Sequence, residues 1–136
     1  MTKGLILLGH GSRDPLWSAP MRAIADRVRS SESSLRVEVA FLEFTPPTFP
    51  DAIATMIADG VDVMEVAPLF LGQGGHLKRD VIALIDAGRI AHPGVTINIL
   101  PALGESTSVL DAIAAWLIEA RDGEAGRVKG DPPLPR

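Results

Sequence analysis

Gly4-Leu5-Ile6-Leu7-Leu8-Gly9-His10-Gly11-Ser12-Arg13 is the stretch on which the fold turns. The run Gly4–Leu8 is short, apolar and without alternation, the pattern of a strand buried on both faces. It stops abruptly at a polar Gly-His-Gly-Ser-Arg segment, which marks the strand's end. A doubly buried strand needs helices above and below it, so the flanking sequence is read for helical periods.

They are present. Met21, Ile24, Ala25 and Val28 recur at i, i+3, i+4 and i+7, with Ser18 or Asp14 placed to cap the helix ahead of a proline. Leu35–Leu42 reads as a second strand with Val37, Val39 and Phe41 on one face. Thr48-Phe49-Pro50-Asp51 reads as a helix start, with Thr48 as cap and Asp51 at the positive end. Ile53, Met56 and Ile57 give that helix its apolar face, and Gly60 ends it. A third strand lies within Val61–Leu71. The turn Gly72-Gln73-Gly74-Gly75 opens a third helix from about His76, with Leu77, Val81, Leu84 and Ile85 inward and Gly88 as its end. After the turn His92-Pro93-Gly94, Val95–Leu100 alternates Val95, Ile97 and Ile99 against Thr96 and Asn98. A last helix, about Ser106–Arg121, is apolar on more than one side, which predicts wide burial or a subunit contact. No internal repeat is obvious.

The order β-α-β-α-β-α-β-α predicts an α/β fold: a parallel sheet with helices on both faces and right-handed crossovers. The 136 residues suit one domain, over 1–121, followed by a Gly/Pro-rich and presumptively flexible tail over 122–136. With 46% hydrophobic residues but only 4% aromatic, the core must be aliphatic. A formal net charge of −4 and dispersed basic residues argue against nucleic acid as a partner. The absence of cysteine excludes disulfides, thiolate metal sites and cysteine nucleophiles. The run Leu5–Leu8 is too short for a secretory core, and no stretch reaches the roughly 18 apolar residues of a membrane span. The expectation is a soluble cytoplasmic protein without a membrane partner.

In such sheets ligands bind beyond the carboxyl ends of the strands. Three polar residues fall there, one per strand: His10, Glu43 and His76. Two imidazoles and a carboxylate are able to bind a divalent first-row metal and to accept protons. Each also has a plain alternative: a strand-edge His, a solvated loop carboxylate, a helix-terminal His without a role. Gly72–Gly75 lacks the Gly-Lys-Ser/Thr ending of a nucleotide loop, but with Lys78 and Arg79 one turn on it suits carboxylates. Ser12 and Arg13 suit them equally.

The blocks Leu7-Leu8-Gly9-His10-Gly11-Ser12-Arg13, Val39-Ala40-Phe41-Leu42-Glu43 and Pro68-Leu69-Phe70-Leu71 with Gly74-Gly75-His76 and Lys78-Arg79-Asp80 resemble the short CbiX-type sirohydrochlorin chelatases. His92-Pro93-Gly94-Val95 and Leu103-Gly104 fit as well, so the resemblance covers about residues 3–120. Gln73 departs from it, standing where a small or apolar residue is expected. The resemblance implies a flavodoxin-like four-stranded lobe and ATP-independent insertion of Co²⁺, or of Fe²⁺ or Ni²⁺, into sirohydrochlorin, a step toward cobalamin or sirohaem. It makes His10 and His76 the pair that handles metal and protons, with Glu43 as third member. The metal is a substrate, and no cofactor is permanently bound. Short members pair as homodimers, so a homodimer is implied here too. Gly9, Gly11, Ser12, Arg13, Gly74, Gly75, Lys78 and Arg79 become candidates for the macrocycle's carboxylates. Phe44, Phe70 and Leu71, with Leu42, become candidates for its flat face.

Two other readings use the same residues. A metal or tetrapyrrole carrier would bind without turnover. A histidine phosphatase also begins with a strand and a His-Gly element, but it needs an Arg where Gly9 stands. A phosphoacceptor domain is disfavoured, since Pro68-Leu69-Phe70 occupies the place of its Asp.

Overall fold

The computed structural model describes residues 2–123. The expected order is found: β1 (Thr2–Gly9), α1 (Ala19–Ser31), β2 (Arg36–Phe41), α2 (Phe49–Ala58), β3 (Val61–Pro68), α3 (Gly75–Ala91), β4 (Thr96–Ile99) and α4 (Thr107–Arg121), with a short 3-10 turn at Leu103–Glu105 before α4. The four strands are all parallel, in the order β2-β1-β3-β4. The chain leaves β1 toward one edge and later returns to build toward the other, so the switch point lies between β1 and β3.

β1 is buried on both sides, as its composition demands. Ile6 and Leu8 face one core with Phe49, Ala52, Ile53 and Met56 of α2 and Val81 and Ile85 of α3. Leu7 faces the other, with Met21 and Ala25 of α1 and Val37, Val39 and Phe41 of β2. Thr48 caps α2 as expected, its hydroxyl accepting from the Asp51 N–H at 3.2 Å.

The structure corrects several details. Ser18 stands at the N-cap of α1 but makes no capping bond; its hydroxyl accepts from Arg22 Nε at 3.3 Å. Gly88 does not end α3, which runs on to Ala91. A Cβ at Gly88 would sit 2.9 Å from Ile53 Cδ1, so this glycine lets α3 press against α2. Ile24 and Ile99 lie on the expected apolar faces but are exposed. Ile99, at the carboxyl end of edge strand β4, borders a cavity with Val81 and Ile82 of α3. α4 buries no residue at all. The flexible tail expected over 122–136 falls almost wholly on residues outside those described.

The structure also corrects the reading that no internal repeat is obvious: a sixty-residue repeat emerges once the elements are aligned. Asp26, Arg29 and Val37 recur sixty residues on as Asp86, Arg89 and Ile97. Arg29 pairs with Asp26 at 2.9 Å and donates to the Val37 carbonyl at 2.6 Å. Arg89 pairs with Asp86 at 3.0 Å and donates to the Ile97 carbonyl at 2.9 and 2.7 Å. At the same spacing Asp51-Ala52-Ile53-Ala54 of α2 returns as Asp111-Ala112-Ile113-Ala114 of α4. The unit β1-α1-β2-α2 is thus followed by β3-α3-β4-α4. An approximate two-fold axis along the strands, between β1 and β3, relates the strands of the two units. It exchanges the sheet's faces, which is why α1 and α3 cover opposite ones.

The packing predicts a contrast. Phe49→Ala, at a fully buried ring, should lower unfolding free energy by about 3–5 kcal/mol. Ile90→Ala, at a side chain 81% exposed, should change it by less than about 0.5 kcal/mol. Urea titrations of both variants check this.

Candidate active site

The register pairs Gly9 with Phe41 and Leu8 with Pro68 at the carboxyl edge, so the residues just past them meet beside the switch point. Beyond the strands, pairing continues. The Leu42 N–H donates to the Gly9 carbonyl and the Glu43 N–H to the His10 carbonyl, each at 3.0 Å. His10 and Glu43 are thereby fixed side by side. Gly11 makes this approach possible. Its φ is +98°, and a Cβ there would collide with the Glu43 carbonyl oxygen. Gly9 likewise makes room for the Met21 sulfur. Both glycines flanking His10 therefore have packing roles.

A second bond pair locks the same two loops. Thr45 Oγ1 accepts from the Ser12 N–H at 2.9 Å and donates to the Ser12 carbonyl at 2.8 Å. Between these clamps Phe44 is held at φ +65°, a region bulky side chains rarely adopt. Its ring is 56% exposed, with the Arg13 guanidinium 4.6 Å above it. An arginine stacked this way keeps its N–H edges free for carboxylates.

His10 is exposed, and its ring meets the buried Phe70 ring edge-on, centroids 5.4 Å apart. With Leu42, Glu43, Leu77, Asp80 and Leu84 it lines a cavity of about 330 Å³. His76, in the first turn of α3, is not among the lining residues. Its Nδ1 lies 3.3 Å from Arg79 Nη2. A guanidinium only donates, so in that contact Nδ1 accepts and the ring proton sits on Nε2. In this rotamer neither nitrogen of His76 offers a free lone pair. Among the described residues no three His, Asp or Glu side chains stand close enough to hold a metal ion together. The structure thus brings His10 and Glu43 to one cavity and leaves His76 on the rim.

The remaining candidates divide. Phe70 is core, and Leu42 packs against the core. Leu71 is 60% exposed. Gly74 caps α3 without a side-chain bond, and the Gly72–Gly75 backbone is open. Lys78 lines a separate cavity of about 260 Å³ with Gln73, Pro101 and Glu105, so α3 divides two hollows.

Four residues were missed. Asp80 adds a second carboxylate to the His10 cavity, and its place in the Lys78-Arg79-Asp80 block was the available signal. Thr45 carries the loop clamp, for which the sequence holds no signal. Leu16 and Trp17 are large exposed apolar groups on the loop after β1. They lie between Pro15 and Pro20, outside any helical period, and that was the available signal for their exposure.

Comparison with known proteins follows the same outline. The CbiX family profile matches residues 4–120. The sirohydrochlorin cobaltochelatase of Methanothermobacter thermautotrophicus is 38% identical over 65% of this chain and 63% of its own length. That of Priestia megaterium is 30% identical over 87% of this chain and 38% of its own length. The Methanococcus aeolicus enzyme of the same name is matched over 55% of its length, so this chain spans little more than half of several such relatives. Among solved structures, the cobalamin biosynthesis CbiX protein of Marinobacter aquaeolei VT8 superposes with a TM-score of 0.78 at 30% identity, covering 88% of this chain and 98% of that one. SirB of Bacillus subtilis with Fe³⁺ gives 0.75 at 23% identity, over 97% of this chain and 49% of that one, and shares the fold.

The loop clamp yields a test. Thr45→Val removes both bonds to Ser12 and should cost about 1–3 kcal/mol of stability. Amide hydrogen exchange at Ser12 should accelerate while that of β4 stays unchanged.

Proposed function

The chain belongs to the CbiX family, and from that premise we propose that it inserts a divalent metal, foremost Co²⁺, into sirohydrochlorin without ATP. One observation carries the reading. His10 and Glu43, fixed by the Glu43 N–H bond to the His10 carbonyl, line one cavity beside the switch point.

Insertion removes two pyrrole N–H protons as the cation enters, and both must be accepted. The His10 imidazole takes one, through the lone pair of a ring nitrogen. Glu43 takes the second or passes it to water, with Asp80 in the same cavity. The incoming metal meets imidazole and carboxylate oxygen only, so it is released readily to the four macrocycle nitrogens. His76 joins by leaving Arg79, which frees Nδ1 as a ligand. Phe44, Leu71, Leu16 and Trp17 form an apolar rim for the flat macrocycle. Arg13, Lys78, Arg79 and the open N–H groups of Gly74 and Gly75 take its carboxylates, which the chain's net charge of −4 would otherwise repel.

A single lobe faces only one side of such a macrocycle, and a second copy supplies the other, so the working form is a homodimer. Its setting is the cytoplasm. Among the described residues no helix is long and apolar enough to cross a membrane.

Purified protein should form many equivalents of cobalt-sirohydrochlorin per chain, followed by absorbance. His10→Ala should slow this by about 10²-fold or more. Glu43→Gln should lower kcat more than it raises KM. Product stopping at one equivalent would instead indicate a carrier, and an undiminished rate in His10→Ala would overturn the mechanism.

A further inference from the structure

Arg29, Arg36, Arg89 and Arg121 each hold a carboxylate, from Asp26, Asp59, Asp86 and Asp122 respectively. Among the described residues Arg79 holds none, although Asp80 is its neighbour in sequence. Its Nη2 lies instead 3.3 Å from Nδ1 of His76, one turn back on α3. The guanidinium lies over the first turn of the helix, 3.9 Å from where a Cβ of Gly75 would stand. Both side chains are exposed. The cation assigned above to the macrocycle's carboxylates is thus in contact with the imidazole assigned to the metal.

That contact and metal binding at His76 exclude one another at either ring nitrogen. A guanidinium only donates, so Nδ1 keeps its lone pair toward Arg79 and the ring proton stands on Nε2. A cation at Nδ1 would need the lone pair that Arg79 holds. A cation at Nε2 would move the ring proton to Nδ1, where it would face the Arg79 N–H, donor against donor. Arg79 must therefore swing away before His76 takes a metal ion. A carboxylate gives it somewhere to go, because an ionised oxygen is a better acceptor for a guanidinium than a neutral imidazole is. The open first turn at Gly74 and Gly75 leaves room for that carboxylate.

We propose that Arg79 is a positioning residue that couples the two substrates: a carboxylate of the macrocycle draws it off His76, and His76 then takes the metal ion. This coupling rests on the proposed chelation and gives it an order of events. Linkage makes it mutual, so a metal ion held by His76 leaves Arg79 free and strengthens macrocycle binding by the same factor. Without a macrocycle, His76 is withheld and a cation meets only His10 and Glu43. Metal is then held firmly only where a ring is present to receive it. One hydrogen bond of this kind corresponds to about two- to tenfold in either affinity.

Binding of Co²⁺ alone to the full chain, read by calorimetry, tests this. Arg79→Met and Arg79→Ala should each bind Co²⁺ about two- to tenfold more tightly than wild type, with unchanged helix content by circular dichroism. Loss of a positive charge would also tighten a cation, so both are repeated in a His76→Ala chain, where the gain should vanish. No gain in either variant overturns the proposal, as does a gain that persists without His76, which would be relief of charge repulsion. If His76→Ala binds Co²⁺ as wild type does, the assignment of His76 to the metal falls and the coupling with it. If it binds more weakly while Arg79→Met gains nothing, the coupling alone falls. Metal-free sirohydrochlorin, followed by tryptophan fluorescence, supplies the reverse direction. His76→Ala should bind it about two- to tenfold more tightly, because Arg79 is released, and should gain nothing once Arg79 is Met. Unchanged or weaker binding in His76→Ala overturns the coupling.

Discussion

Everything in this lobe depends on β1 being buried from both sides. A strand with Ile6 and Leu8 on one face and Leu7 on the other cannot leave either face to water without losing about 1.5–3 kcal/mol for each large side chain. That demand calls α1 to one side and α2 and α3 to the other. Right-handed crossovers then leave β1 as an inner strand, flanked by β2 and β3. The switch point falls at its carboxyl end, so the first residue past the strand, His10, occupies the position where open α/β sheets bind ligands. The chemistry of the site follows from the hydrophobic requirement of the strand that leads into it.

What the sequence disclosed follows the same logic. Strands, helices and their order are written in apolar periods, and every element was found. Errors fell where a residue's role is set by what lies across from it. Gly88 has the signature of a helix stop, but its missing Cβ serves contact with Ile53. Ser18 has the chemistry of a cap, but its hydroxyl is taken by Arg22. Ile99 alternates correctly but borders an open cavity at the end of its strand. In the site, His10 and Glu43 were legible because each follows a strand directly. The Arg79 contact at His76, the Thr45 clamp and the entry of Asp80 into the cavity depend on side-chain directions that no linear pattern encodes.

The rim and the cavity have different physical characters. The His10 cavity is set by backbone ladder bonds and by a glycine that tolerates nothing larger, so its polar groups are preorganised. Outside the residues that line it, Phe44, Leu71, Leu16 and Trp17 are exposed aromatic and aliphatic groups on loops. A preorganised cavity together with exposed apolar loop groups suits a ligand that is both flat and ringed with charge.

The repeat has a consequence for how such a site arises. Position 10 in the first unit corresponds to position 70 in the second, and the two rings touch near the axis. One is an exposed histidine, the other a buried phenylalanine. Two equal histidines there would crowd like groups onto one spot. The first unit presents an exposed imidazole, and the second supplies the buried ring packed edge-on against it. Inside a single small lobe the polar group thus comes from one half and its support from the other.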